Sequence, residues 1–366
     1  MMLLLASSLR SLPPRLFPYF SNTFQKAFSN TSVPRPPMSP AEPFLGSGES
    51  DLFAMAVKFQ TDNGQPIELK AVYQDTDPSP KAIPTEGKSR QSPTIVFVHG
   101  SPGSHKDFKY MMLPLREKGL RSVAFNWPGM GYTLFDRRLR LTNSERTAFA
   151  RSLIDQLLPP PTELIFVGHS RGGENALRLA REYPGRTKAL LLLNSCGFRP
   201  HKGVRPHLMI KIAAWLWALD SRLQHCLAPI FHKIYSFSSG LKTDNGFIAG
   251  ISTITHCTYD FDKLKLLTDD LQKEQPQLKV LFAYSGKDHL IETEISEEFS
   301  RALGGPILIS TTNPKEEDSE LLAKFNQLTA GEHGQNRLSI LFTKERHFLQ
   351  KHQASFMAKC ILSYIQ

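Results

Sequence analysis

Between Leu164 and Tyr183 the chain reads as a strand, a sharp turn and a helix, and the turn is Gly168-His169-Ser170-Arg171-Gly172-Gly173. The run Leu164 to Val167 is unbroken apolar, as in strands buried on both faces. The residues from about Gly173 to Tyr183 carry a helical pattern. A strand that reverses this abruptly into a helix crowds the turn, so side chains at Gly168 or Gly172 would clash. The turn lifts the Ser170 hydroxyl above the sheet edge and aims the free N–H groups of a helix N-terminus at it. With glycine and serine each near ~7% of residues, a chance G-x-S-x-G arises in roughly one chain in ten of this length. The strand before it, the helix after it and the third glycine make this instance specific.

The flanking sequence repeats the same rhythm. Val57 to Phe59 and Ile67 to Tyr73 read as two strands joined by a turn at Asp62-Asn63-Gly64. A polar, proline-rich loop from Asp75 to Pro93 precedes the buried strand Thr94 to Val98. A helix around Phe108 to Lys118 leads to a strand at Ser122 to Asn126. A helix around Ser144 to Leu158 leads to the strand at Leu164, and the next helix leads to Ala189 to Leu193. Such alternation predicts an α/β fold with a doubly wound, mostly parallel sheet. The rhythm stops at Gly197. Residues 197–276 read mostly helical, Leu278 to Tyr284 resumes the sheet, and Leu338 to Thr343 and Ala354 to Tyr364 read as the last strand and closing helix. The predicted organisation is therefore an N-terminal segment 1–48, core halves 49–196 and 277–366, and an inserted helical cap 197–276.

A second glycine-rich turn, His99-Gly100-Ser101-Pro102-Gly103-Ser104, follows the strand ending at Val98. Acyl transfer needs two backbone donors for the oxyanion that develops, and the N–H groups of Ser101 and Arg171 are the candidates. A phosphate loop would read G-x-x-x-x-G-K-[ST], which does not occur.

Together, His99 to Gly103, Asn126-Trp127-Pro128-Gly129-Met130-Gly131 and Gly168 to Gly173 resemble the α/β-hydrolase superfamily over about residues 55–196 and 277–366. The run Gly168 to Leu177 also resembles an invertebrate branch of it. The resemblance implies a serine hydrolase, carboxylesterase- or lipase-like, with Ser170 as nucleophile and no metal or cofactor. It places an acid after the strand that resumes past the cap, and a histidine after the last strand. Tyr284-Ser285-Gly286-Lys287-Asp288 offers Asp288, with Glu292 as the fallback. After Leu193 the chain has Asn194-Ser195-Cys196-Gly197 and no carboxylate. Lys344-Glu345-Arg346-His347-Phe348 offers His347, with His352, then His289 and His333, as alternatives. Arg346 stands where the family has glycine, and residues 305–336 are an extra segment. The implied reaction is cleavage of an ester, thioester or amide of an apolar acyl group, the cap setting the substrate. Trp215, Trp217, Phe231, Tyr235 and Phe237 are candidate lining residues, and Leu208 to Leu219 a candidate lid helix, apolar towards the pocket. A serine at the turn argues against epoxide hydrolases and dehalogenases of this fold, which use aspartate there. The rival class is an inactive member serving as a binding or scaffold protein.

Composition narrows the partners. Net charge is +10, with Lys and Arg scattered and interspersed with acids. No basic block supports a nucleic-acid role; the surplus reads first as a solvated surface, with a weak attraction to anionic membrane surfaces or acyl carriers as the alternative. The four cysteines form no C-x-x-C pair, so zinc and dithiol redox motifs lack support. Residues 1–41 hold Arg10, Arg15, Lys26 and Arg35 but no acid, and are rich in Ser, Leu and Phe. That is the composition of a mitochondrial transit peptide, with a cytoplasmic tail or a secretory or endoplasmic-reticulum signal as the alternatives.

Overall fold

A computed structural model describes residues 42–44, 51–77, 92–236, 241, 243, 245–331 and 334–365. The expected targeting segment, most of the loop before Thr94, and Phe237 and His333 lie outside these residues. The strands are β1 (Glu42–Pro43), β2 (Leu52–Gln60), β3 (Pro66–Asp75), β4 (Thr94–Val98), β5 (Ser122–Phe125), β6 (Leu164–His169), β7 (Thr187–Leu193), β8 (Lys279–Ser285), β9 (Ile307–Ser310) and β10 (Arg337–Phe342). They form one sheet in the order β1-β2-β3-β5-β4-β6-β7-β8-β10-β9. Pairing is antiparallel from β1 through β3 to β5 and parallel from β5 onward.

The unbroken apolar runs are explained by burial on both faces. Ile95, Phe97, Ile165, Val167, Leu191, Leu193, Leu281 and Ala283 pack on one side, and Val96, Val98, Phe166, Leu190, Leu192, Val280 and Phe282 on the other. The period of two is that of a strand. Helices α1 (Lys109–Glu117), α2 (Asn143–Leu157) and α3 (Arg171–Glu182) follow β4, β5 and β6. Further on come α8 (Thr293–Leu303), α9 (Ser319–Thr329), α10 (Leu349–His352) and α11 (Ala354–Ile365). One face is covered by Met111, Met112 and Leu115 of α1 with Phe356, Met357 and Ile361 of α11. The other is covered by Phe149 and Leu153 of α2 with Ala176 and Leu177 of α3. Burying each of these side chains other than Ala176 contributes about 1.5–3 kcal/mol.

Between β7 and β8 lie four helices, α4 (His207–Leu219), α5 (Ser221–Ile234), α6 (Gly246–Cys257) and α7 (Phe261–Glu274). The extra segment after α8 contributes β9 and α9. Reading the sequence missed β9, because a four-residue edge strand with Ile307 and Ile309 exposed carries too short a pattern. The order in which successive parallel strands are added reverses at β4, which has β5 on one side and β6 on the other. Ligands of open α/β sheets bind in the crevice at such a point, beyond the carboxyl ends of the strands. The His99 turn leaves β4 and the Ser170 turn leaves β6 at that crevice.

Candidate active site

Ser170 stands between β6 and α3 with φ 52° and ψ −126°. A non-glycine residue in that region costs on the order of 1–3 kcal/mol and persists only where its surroundings over-determine it. The surroundings here are tight. The Ser170 N–H donates to the Leu193 carbonyl at 2.9 Å, and the Gly173 N–H to the Ser170 carbonyl at 3.0 Å. A Cβ on Gly172 would lie 2.3 Å from the Val98 carbonyl oxygen, and one on Gly168 2.7 Å from the Ala176 Cβ. Both glycines are thus required by backbone approach.

The structure brings Ser170, Asp288 and His347 together from three strand ends. His347 Nδ1 lies 2.7 Å from Asp288 Oδ2, and its Nε2 lies 3.1 Å from Ser170 Oγ. The carboxylate sets the tautomer: with the proton on Nδ1, Nε2 presents its lone pair to the serine hydroxyl. The side chains of His347 and Asp288 are each only 2% exposed. Asp288 Oδ1 accepts the N–H groups of Leu290 at 2.8 Å and Ile291 at 3.2 Å. Burial pushes the Asp288 carboxyl up, but His347 and these two amides outweigh it and hold the carboxyl below its ordinary range. A carboxyl lowered by folding stabilises the fold above its unfolded pKa of about 3.9, and that contribution is lost as pH falls through the lowered value. The gap in unfolding free energy between wild type and Asp288→Asn should therefore be largest near neutral pH and shrink in acid. Urea titrations at pH about 7 and about 3 check it, and a gap that does not change refutes it.

The alternatives are engaged elsewhere. His352 Nδ1 is 3.2 Å from Glu345 Oε2. Glu292 accepts the Lys202 N–H at 2.9 Å and pairs with Arg205. The His289 ring lies 6.1 Å from that of His347, outside the hydrogen-bonded chain.

Several residues that hold the site in place gave no signal in the sequence. His169 Nε2 donates to the His347 carbonyl at 3.0 Å, and Asn194 Nδ2 donates to the same oxygen at 2.9 Å. Burial keeps the His169 imidazole neutral, lowering its pKa to about 3. Asn194 Nδ2 also reaches Ser285 Oγ at 3.0 Å. These contacts fix the loop that the expected glycine would have relaxed, with Arg346 in its place. His99 is likewise a support: the Trp127 amide donates to its Nε2 at 3.1 Å, and the Trp127 indole to its carbonyl at 2.9 Å. The Asn126 to Gly131 motif therefore braces the first glycine-rich turn.

Gly100 packs beside the serine, where an added Cβ would be 3.1 Å from the Ser170 Cβ. Ser101 follows it in the same turn. Arg171 is the first residue of α3, so its N–H has no partner within the helix. Both residues are also tied to α6. Ser101 Oγ is 3.4 Å from Thr255 Oγ1, and Arg171 Nε donates to the Thr255 carbonyl at 3.2 Å. The Arg171 guanidinium, fully buried, also meets Glu174 and Asn143 Oδ1 at 2.7 Å each and lies 4.2 Å over the Tyr259 ring.

The candidate lining residues among the described residues pack as follows. Trp217 and Phe231 stack on each other with centroids 5.3 Å apart, and Trp217 fills the space left by Gly250 on α6. Tyr235 places its hydroxyl 3.1 Å from His256 Nδ1. These three contribute to the packing of the insert, because helices inserted into a sheet need a core of their own. Trp215 is half-buried.

Comparison with known proteins agrees with the fold. Residues 49–366 match the model of a family described as an alpha/beta hydrolase of unknown function (DUF1057). The match runs through the insert, which the sequence motifs did not cover. An uncharacterised protein of Caenorhabditis elegans is 29% identical over 300 residues, 80% of each chain. A haloalkane dehalogenase from Bradyrhizobium elkani superposes with a TM-score of 0.55 at 13% identity, over 86% of this chain and 97% of its own. A thermophilic esterase from Thermogutta terrifontis superposes with a TM-score of 0.53 at 13% identity, over 85% and 97%. At these identities the structural likeness is one of fold.

Proposed function

The chain belongs to this α/β-hydrolase family of unknown function, and on that footing we propose that it is a serine hydrolase cleaving an ester, thioester or amide of an apolar acyl group. The observation that carries the proposal is the continuous chain from Asp288 Oδ2 through His347 to Ser170 Oγ, at 2.7 and 3.1 Å. The fold alone does not carry it, since one fold hosts many chemistries.

The steps follow from that geometry. Ser170 Oγ attacks the carbonyl carbon while its proton passes to His347 Nε2. Asp288 stabilises the imidazolium. The negative charge that forms on the carbonyl oxygen is met by the N–H groups of Ser101 and Arg171. Collapse expels the leaving group, which takes the proton from His347, and Ser170 is left acylated. Water, deprotonated by His347, then attacks the acyl carbon and restores the serine. The helical insert, closing over this edge between β7 and β8, is the part that reads the acyl group, because the reacting residues touch only the carbonyl and the leaving atom.

A fluorophosphonate probe tests the reading directly, since it reacts only with an activated serine. One adduct per chain, located on Ser170 by peptide mass spectrometry, is the expected result. Intact folded protein that takes up no probe would instead favour an inactive scaffold.

A further inference from the structure

We propose that the outer face of α4, with the start of α5, docks on an anionic lipid surface. This face stands whether or not Ser170 is a nucleophile.

Helix α4, HLMIKIAAWLWAL, is apolar apart from His207 at its start and Lys211. A helix of this kind is normally buried all round, yet α4 buries only Ala214, Trp217 and Ala218 against the rest of the insert. Leu208, Ile212, Trp215 and Leu219 recur at spacings of four, three and four residues, which is one helical stripe. Leu208 is 51% exposed, Leu219 is exposed and the two between them are half-buried. The expected lid geometry, with the apolar side turned inward, is therefore only half of the arrangement: this helix has a second apolar face turned outward. On α5, Ile230 and Ile234, one turn apart, are also exposed.

The charges around this face select its partner. Lys211 sits beside Leu208 and Trp215 at i+3 and i−4. Arg222 follows at the start of α5 and Lys233 near its end. All three are exposed and form no ion pair among the described residues. The one acid in α4, α5 and the residues joining them is Asp220, whose carboxylate caps α5. Arg199 and Arg205, just before α4, are neutralised by Glu298 and Glu292. The scatter of basic residues in the sequence thus resolves into a local surplus. An apolar stripe flanked by Lys and Arg is the composition of a helix lying in an anionic bilayer interface. A second copy meeting this face about a two-fold axis would bring like charges together. The chain's own segment 1–41 is also basic and free of acids, so it is repelled for the same reason.

Sedimentation with sucrose-loaded vesicles tests the proposal on the full chain. Vesicles of phosphatidylcholine containing phosphatidylserine should pull the protein down, and phosphatidylcholine alone should not. Added salt should release it, since attraction to the surface charge decays within a Debye length. Lys211→Glu with Arg222→Glu should weaken binding on the order of tenfold or more. Leu208→Ser with Leu219→Ser should weaken it without changing the salt dependence. All four positions are exposed, and circular dichroism confirms that each variant is folded. Equal binding to neutral vesicles, or charge-reversed protein that binds as wild type, overturns the proposal. So does a wild-type dimer in light scattering that Leu208→Ser with Leu219→Ser converts to a monomer, because the face would then belong to a second copy. Fluorophosphonate labelling of the same variants reports separately on the hydrolase reading.

Discussion

Ser170→Ala is expected to lower turnover of a short p-nitrophenyl ester by on the order of 10³-fold or more, with stability nearly unchanged. The two parts of this expectation have different causes. Activity falls because the attacking oxygen is gone, while the orienting donors that remain give only residual catalysis. Stability holds because alanine pays about the same steric cost as serine at φ 52°, and the strained turn is fixed by backbone contacts that the substitution leaves alone. His347→Ala should lose activity comparably, since the chain from Asp288 passes through its ring. His352→Ala should not, because its ring is occupied with Glu345. Turnover of Ser170→Ala within a few-fold of wild type would remove the serine from the reaction. Loss of activity in His352→Ala with His347→Ala active would reassign the base.

Arg171→Met is expected to destabilise the protein by about 3–5 kcal/mol, the typical cost of removing one partner from a buried ion pair. Arg171 and Glu174 are both fully buried, 2.7 Å apart. Without the guanidinium, Glu174 keeps Arg178 at 3.0 Å and Asn143 Nδ2 at 2.6 Å, so the loss should fall toward the lower end of that range. The Thr255 carbonyl and the Tyr259 ring lose their partner at the same time. A domain stabilised by about 5–15 kcal/mol survives this, so the variant should remain folded and measurable. Arg171→Met combined with Glu174→Leu should recover part of the loss, because the pair costs desolvation that an apolar pair does not. Urea titration of the two single variants and the double variant measures the coupling. An Arg171→Met variant as stable as wild type would show that neither the buried pair nor the Arg171 contacts with Thr255 and Tyr259 of the insert contribute to stability.

Where a local pattern had a local cause, the sequence was readable. The strand at Leu164 to Val167, the turn at Ser170 and the helix after it follow from side-chain period and from glycines that a strand-to-helix reversal demands. The same holds for β4 and its His99 turn, and for the sheet's parallel, doubly wound character. Asp288 and His347 were reachable only through the order in which a family arranges them. Even there, Arg346 and residues 305–336 departed from the pattern, since the distance of 59 residues between acid and histidine contains no signal of their contact. Asn194 and His169, which hold the His347 carbonyl, were invisible because their partners lie 153 and 178 residues away.

The insert shows the division most clearly. Its helices, its aromatic content and its place between two strands were determined by the amino-acid sequence alone. Which aromatic faces which neighbour was decided only by tertiary packing. Trp217 stacks on Phe231 inside the insert, while Leu208 and Leu219 at the ends of the stripe are exposed. Hydrophobicity says that a side chain avoids water but carries no direction. In a helix as apolar as α4, most faces qualify for burial equally, and only contact with α5 and α6 chooses among them.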